Sequence, residues 1–445
     1  MSPNGSLLTT GIAALDRALG GGIPPRQVLL VAGQPGSGKT ILASQIAFAQ
    51  ASRGAPVLLA TAASEPHTKV LETLQRFSFF ERERVGRDIF LLSIYPWLRR
   101  GVRETREMLL SSVREQRASL LVVDGLRSLR DVWRDESQIR EFLSEIGVGL
   151  SSNDCTGVLT LEANPERILE APEAATVDGV VTLPFEQTGM RRERRLEVVK
   201  VRGQRHIPGQ HFTQLGNDGF ELYLRLEAES DPVAPVTALP SPGARSAFGV
   251  KALDAWLGGG VPTGSVTLLT GPHGSGKTQL AARFAAGGGA EGGALFVSLG
   301  EGAELALARA EALGVKVSGV RAFTPEVLEL RPDLVGHGVL RKSQEARRVV
   351  LDGMETLLAA TSPERRMDFT RALLRRLARG GRDVLMTGGD EVREMLGGLA
   401  DNLLELSCDE RDVTVLRLTK VRGAQRPKGA FAFTVGSAGI EEARV

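Results

Sequence analysis

VLLVAGQPGSGKTILASQIA, residues Val28 to Ala47, passes from an apolar run through a glycine-rich turn into a helix-forming run. That order reads as a strand, a phosphate loop and a helix, and Gly33-x4-Gly38-Lys39-Thr40 fits the P-loop pattern. Gly36 and Gly38, with Ser37 between them, let the backbone approach phosphate oxygens with no Cβ in the way, so that successive N–H groups point at the anion. The helix that follows adds its positive end to the same place. Lys39 is then placed to reach the β- and γ-phosphates, and the Thr40 hydroxyl to ligate Mg²⁺. A glycine turn that holds nothing would fit the eight residues, but it would not require the apolar and helix-forming flanks. Residues 266–283, VTLLTGPHGSGKTQLAAR, repeat the loop as Gly271-x4-Gly276-Lys277-Thr278, with Gly274 and Ser275 inside it, at an offset of 277 − 39 = 238 residues.

The repeat extends beyond the loops. Thr10 to Pro24, TGIAALDRALGGGIP, returns as Phe248 to Pro262, FGVKALDAWLGGGVP, at the same offset. Leu15 and Leu19, like Leu253 and Leu257, are spaced as one face of a short helix, and three glycines end it. The leucines read as core, and the glycines as shaping the approach to the nucleotide loop.

Further along, Pro56–Thr61 and Ile89–Ile94 read as strands, and Pro66–Phe77 and Val102–Glu115 as helices. Ala118 to Asp124 is an apolar run ending in an acid, and Arg348 to Asp352 repeats it. A carboxylate at the end of a buried strand is costly unless a charge sits beside it. Asp124 and Asp352 therefore read as the acids that hold Mg²⁺ through water, the alternative being exposed turn aspartates. A later strand in each half, Gly157–Leu161 and Val384–Thr387, ends near Glu162 or Thr387. These residues could sense a γ-phosphate or could be ordinary loop residues. Each half closes on Lys-x-Arg-Gly: Lys200 and Arg202 in the first, Lys420 and Arg422 in the second. Period-two alternation would put each cation pair on one strand face, where it could clamp a phosphate.

The sequence predicts an α/β protein of two tandem P-loop domains, 1–227 and 248–445, each a mainly parallel central sheet flanked by helices. The four prolines of AESDPVAPVTALPSPGARSA, residues 228–247, predict a semi-stiff linker between them. A length of 445 residues suits two or three domains, and 42% hydrophobic with 24% charged residues suits a globular protein. The formal charge of +2 neither demands nor excludes a nucleic-acid partner. Two cysteines without metal-ligand spacing, no apolar run of membrane-spanning length and no charged-then-apolar start predict a cytoplasmic protein with no membrane attachment.

Together, TGIAALDRALGGGIP, GQPGSGKT, LLVVDG and VVKVRGQRHIPG, with FGVKALDAWLGGGVP, GPHGSGKT, VVLDG and LTKVRGAQRPKG, resemble the KaiC family of RecA-like ATPases in its duplicated form. The resemblance implies ATP and Mg²⁺ bound between neighbouring subunits of a hexamer. It also implies that Lys200, Arg202, Lys420 and Arg422 reach the phosphate held by the adjacent subunit. The family usually carries two adjacent glutamates after the second strand, the first acting as base. Here Ala63 and Ser64 occupy that place with Glu65 following, and Gly300 precedes Glu301, so Glu65 and Glu301 are the surviving candidates. Leu396 to Asp401 offers no hydroxyl where the family's clock protein is phosphorylated, so autophosphorylation is not carried over. The expectation is an ATP-dependent oligomeric switch with weak or absent hydrolysis, read by a protein partner. The rival is a DNA-acting motor or recombination accessory ATPase that would use the arginines of 190–195 and 371–382, although 371–382 also reads as an amphipathic helix with a solvated face.

Overall fold

A computed structural model describes residues 6–62, 67–188, 191–229, 243–289, 293–326, 330–379, 381–409, 413–436 and 439–443. Glu65 and linker residues 230–242 lie outside these residues. The chain divides into two compact units, Met1–Ala228 and Glu229–Val445.

The first unit contains β1 (Val28–Gly33), β2 (Val57–Thr61), β3 (Ile89–Ser93), β4 (Leu120–Asp124), β5 (Thr156–Glu162), β6 (Gly179–Leu183), β7 (Phe185–Thr188), β8 (Arg191–Val201), β9 (Gln210–Gly216) and β10 (Gly219–Tyr223). Among the described residues they form one sheet in the order β10-β9-β8-β6-β1-β5-β4-β2-β3, with β7 paired to β8. Pairing is parallel from β6 through β1, β5, β4 and β2 to β3, and antiparallel from β6 outward to β10. Helices cover both faces, which is why β1 is apolar at every position. Its alternate residues feed two cores. Leu29 and Val31 pack with Leu42, Ile46 and Phe48 of the helix Lys39–Ala51. Val28, Leu30 and Ala32 pack with Phe142 and Ile146 of the helix Glu136–Ser152.

The second unit repeats this plan with β11 (Arg245–Ser246), β12 (Val261–Pro262), β13 (Val266–Thr270), β14 (Ala294–Ser298), β15 (Val320–Phe323), β16 (Arg348–Asp352), β17 (Asp383–Gly388), β18 (Asn402–Cys408), β19 (Thr414–Lys420), β20 (Phe431–Gly436) and β21 (Gly439–Glu442). Its main sheet runs β15-β14-β16-β17-β13-β18-β19-β20-β21, parallel from β15 to β18 and antiparallel beyond. These are tandem RecA-like α/β units.

The end of the expected linker belongs to the second unit. Arg245 and Ser246 pair with Pro262 and Val261, and the Ser246 hydroxyl donates to Asp383 at 2.6 Å. Arg348, 2% exposed, donates to the carbonyls of Ala247 and Phe284 and lies over the Phe284 ring. A buried guanidinium with these partners holds the entering chain against the fold.

The repeated TGIAALDRALGGG and FGVKALDAWLGGG segments are organised by an aspartate as well as by leucines. Asp16 accepts from Thr10 N and from the hydroxyls of Thr9 and Thr10, and Asp254 accepts from the backbone of Phe248, Gly249 and Val250. Burial pushes Asp254 up from the usual carboxylate range, opposed by those three N–H groups. The leucines are core, as their spacing predicts: Leu15, Leu19, Leu253 and Leu257 are all buried. The glycines serve a close approach. A Cβ on Gly20, at φ +86°, would lie 2.0 Å from the Arg205 carbonyl, and Gln204 donates to the carbonyls of Leu19 and Gly22. The first unit's glycine turn therefore receives the Lys-x-Arg-Gly-Gln segment.

Candidate nucleotide sites

Each P-loop leaves the carboxyl end of its central strand and enters a helix, Lys39–Ala51 or Lys277–Gly289. Gly36 and Gly274 adopt φ of +77° and +80°, and Gly38 and Gly276 +102° and +86°, in the left-handed region that turns N–H groups inward. The Lys39 ammonium donates to Gly33 O at 2.9 Å and Gln34 O at 2.8 Å, and Lys277 donates to Gly271 O at 2.7 Å and Pro272 O at 2.8 Å. Burial lowers the pKa of both lysines. Glu162 and Asp124 oppose the shift at Lys39, and Glu355 followed by Asp352 at Lys277. The Ser37 hydroxyl is buried in the loop without a hydrogen-bond partner among the described residues.

The predicted metal-holding residues come together. Thr40 Oγ1 donates to Asp124 at 2.9 Å, and Thr278 Oγ1 to Asp352 at 3.0 Å. Hydroxyl and carboxylate oxygens side by side form a hard donor set that fits Mg²⁺ shared with phosphates. Behind each acid stands a threonine on the strand between the acid's strand and the P-loop strand. Thr160 of β5 donates to Asp124 at 2.5 Å and accepts from Gly125 N at 2.9 Å. Thr387 of β17 donates to Asp352 at 2.6 Å and accepts from Gly353 N at 2.9 Å. The true counterpart of Thr387 is thus Thr160, two residues before Glu162. Asp352 is only 6% exposed, and burial raises its pKa against the hydrogen bonds from Thr387 and Thr278.

The two sites then diverge. In the first, Arg127, three residues after Asp124, bridges to Glu162 at 2.7 Å. In the second, Glu355, three residues after Asp352, accepts from Gly389 N at 2.5 Å. Glu301 and Glu355 line a cleft of about 410 Å³ with Lys277, Thr278 and Asp352, and Glu301 is bound to Arg309 at 2.5 Å. A cleft of about 230 Å³ beside Thr40 and Asp124 includes Lys69.

The Lys-x-Arg pairs occupy the other end of each sheet. Lys200 pairs with Val180, level with Leu30 early in β1, and Arg202 bridges to Asp178 at 3.2 Å. Lys420 pairs with Leu403, level with Leu268, and Arg422 bridges to Asp401 at 3.0 Å. Asp178 and Asp401 also accept from the first residue of the central strand, Val28 N and Val266 N, each at 3.0 Å. The expectation of two cations on one regular strand face is corrected. Both strands carry a register shift at this station, and the arginines fall beyond the strand ends at Val201 and Lys420. The lysines also differ. Lys420 donates to the carbonyls of Gly397, Gly398 and Ala400 at 3.0, 3.4 and 2.7 Å. Lys200 makes no such bond among the described residues, and burial followed by the neighbouring Arg202 lowers its pKa.

Arginines of both arginine-rich stretches have partners within their own unit. Arg194 donates to Gly36 O at 3.1 Å and stacks on Phe185, and Arg195 donates to Gln210. Arg371 pairs with Asp368, and Arg382 donates to Ser343 O and Ala346 O. The helix Arg366–Arg379 buries Phe369, Leu373 and Leu377, as an amphipathic reading predicts.

A family model described as "ATPase: KaiC" matches residues 8–227 and 247–323. The chain belongs to the KaiC family of ATPases. "Circadian clock protein KaiC3" of Synechocystis sp. is 25% identical over 97% of this chain and 91% of its own length. "Circadian clock oscillator protein KaiC" of Rippkaea orientalis is 27% identical over 62% of this chain, and the match spans 54% of that protein. The "UPF0273 protein" of Thermotoga maritima is 28% identical over 48% of this chain and 94% of its own length, about one of the two units. Membership of this family supports ATP binding by the RecA-like fold. No described helix is long and apolar enough to cross a membrane.

Proposed function

We propose that this chain is a self-assembling ATP-dependent switch of the cytoplasm: a six-subunit ring with nucleotide between neighbours, slow hydrolysis confined mainly to the second unit, and a nucleotide-sensitive surface read by another protein. The observation that carries it is the placement of the cations. A strand of six residues rising ~3.3 Å each puts roughly 17 Å between the two ends of β1. Arg202 is anchored at the starting end through Asp178, and the P-loop lies beyond the finishing end. Arg202 is therefore far from its own phosphate loop, which supports the reading that it and Lys200 complete one presented by an adjacent subunit. The same holds for Arg422. A γ-phosphate bridging two subunits makes assembly depend on nucleotide state.

Mg²⁺, held by Thr40 and Asp124 or by Thr278 and Asp352, would neutralise charge on the phosphates. The chain's own groups supply the rest: loop N–H groups and Lys39 or Lys277 bind phosphate, and the buried threonine behind each acid fixes its orientation.

The test is to size the full chain with and without MgATP while counting bound nucleotide. ATP-dependent assembly is expected. Lys39→Ala and Lys277→Ala should each remove about half of the bound ATP, because each loop carries a full ligand set. Unchanged size with ATP, or full stoichiometry in either variant, would refute the reading.

A further inference from the structure

We propose that Glu355, rather than Glu301, positions and deprotonates the attacking water in the second unit. The inference rests on the reading that this unit hydrolyses ATP. Glu355 stands in the first turn of the helix Met354–Ala360, three residues beyond Asp352. One carboxylate oxygen is fixed by Gly389 N at 2.5 Å, and the other has no hydrogen-bond partner among the described residues. Of the charges acting on Lys277, the residue that meets the β- and γ-phosphates, Glu355 is the strongest. A carboxylate that is held in place, keeps a free oxygen and lies beside the γ-phosphate end of the site meets the geometric need of a base.

Glu301 meets it less well, because its carboxylate is spent on Arg309 at 2.5 Å. The first unit supplies the contrast. There the equivalents of Glu355 and Gly389 are Arg127 and Glu162, since 127 − 124 = 355 − 352 and 162 − 160 = 389 − 387. They bridge to each other at 2.7 Å, so a cation fills the place of the base.

In the step assigned to Glu355, the water oxygen forms a bond to the γ-phosphorus. The bond from that phosphorus to the β–γ bridging oxygen breaks, and its electron pair leaves on ADP. The water proton passes to the free oxygen of Glu355 and from there to solvent. Substrate and water supply every atom.

The experiment is single-turnover hydrolysis by the full chain carrying Lys39→Ala, with Glu355→Gln, Glu355→Asp or Glu301→Gln added, alongside equilibrium ATP binding. Glutamine keeps an oxygen for Gly389 N–H and loses only the charge and basicity. Glu355→Gln should therefore lower the rate ~10²–10⁴-fold while ATP binding is retained or tightened by the lost negative charge. Glu355→Asp should fall between it and the parent, and Glu301→Gln should lose less. A rate indifferent to Glu355→Gln, or a loss matched by lost ATP binding, would overturn the proposal. Separately, turnover that survives Lys277→Ala would place hydrolysis in the first unit and remove the reading on which the proposal rests. Turnover abolished by Lys277→Ala but untouched by Glu355→Gln would sink the proposal alone.

Discussion

Replacing Thr387 with valine keeps the volume of a residue 1% exposed and deletes one hydroxyl. That hydroxyl serves two groups at once, donating to Asp352 at 2.6 Å and accepting from Gly353 N at 2.9 Å. A hydrogen bond to a charged group contributes about 1.5–3 kcal/mol and an orphaned buried N–H costs about 1–3 kcal/mol, so together they make roughly 2.5–6 kcal/mol. Asp352 would keep Thr278 but lose the partner that fixes its second oxygen. Removing such an orienting partner typically costs ~10–100-fold in metal affinity, and that loss is expected in the Mg²⁺-dependent part of ATP binding. Thr160→Val deletes the matching bonds in the first unit. Asp124 is less buried than Asp352, so its stability cost should be smaller. The assay is a Mg²⁺ titration of ATP binding to each variant, paired with denaturant unfolding, with Thr387→Ser as the control that restores the hydroxyl. Parental Mg²⁺ dependence in both valine variants would show that these threonines do not orient the acids.

Asp352→Asn tests the burial of that acid. Its folded pKa lies above the ordinary 3.8, so the folded state holds the proton more tightly. The contribution to stability is full below pH ~4 and is lost as pH rises through the folded value. At pH 7 the substitution should raise the unfolding midpoint of the ATP-free protein while weakening Mg²⁺-dependent binding; an unchanged or lower midpoint at pH 7 would count against the shift. Arg422→Ala should weaken ATP-dependent assembly and leave unfolding nearly unaltered, since the Arg422 side chain is 64% exposed beside Asp401. Sizing that still shows full assembly with ATP would remove the bridging role.

Much of this arrangement is written locally. The apolar runs at Val28, Leu120 and Arg348 become buried parallel strands because both faces of the sheet are covered. Val102–Glu115 is a helix with the bounds its period predicts. The residues that escaped sequence reasoning act across distance. Thr160 in TGVLTLE looks like an ordinary strand threonine, and its partner Asp124 lies 36 residues away. Ser246 sits in a stretch that looks like linker, and what removes it from the linker is Asp383, 137 residues on. Glu355 and Arg127 fall in short helices, where a charged residue ordinarily means a solvated face. Their signal was comparison of the halves, since a sign reversal three residues after the same acid is legible once the repeats are aligned.

That reversal bears on how one frame could support two behaviours. Glu162 acts on Lys39 in the first unit, but it is paired with Arg127, so the acid near that phosphate loop comes with a cation of its own. In the second unit Glu355 stands uncancelled near Lys277, and Glu301 is balanced by Arg309. A carboxylate beside a polyanion opposes its binding, yet the same carboxylate is what an attacking water needs. On the function proposed above, the first site would hold ATP and the second would bind it less tightly and turn it over. A ring of such chains would keep one layer assembled on retained nucleotide, while the contacts of the other, made through Arg422, would loosen each time a γ-phosphate is lost.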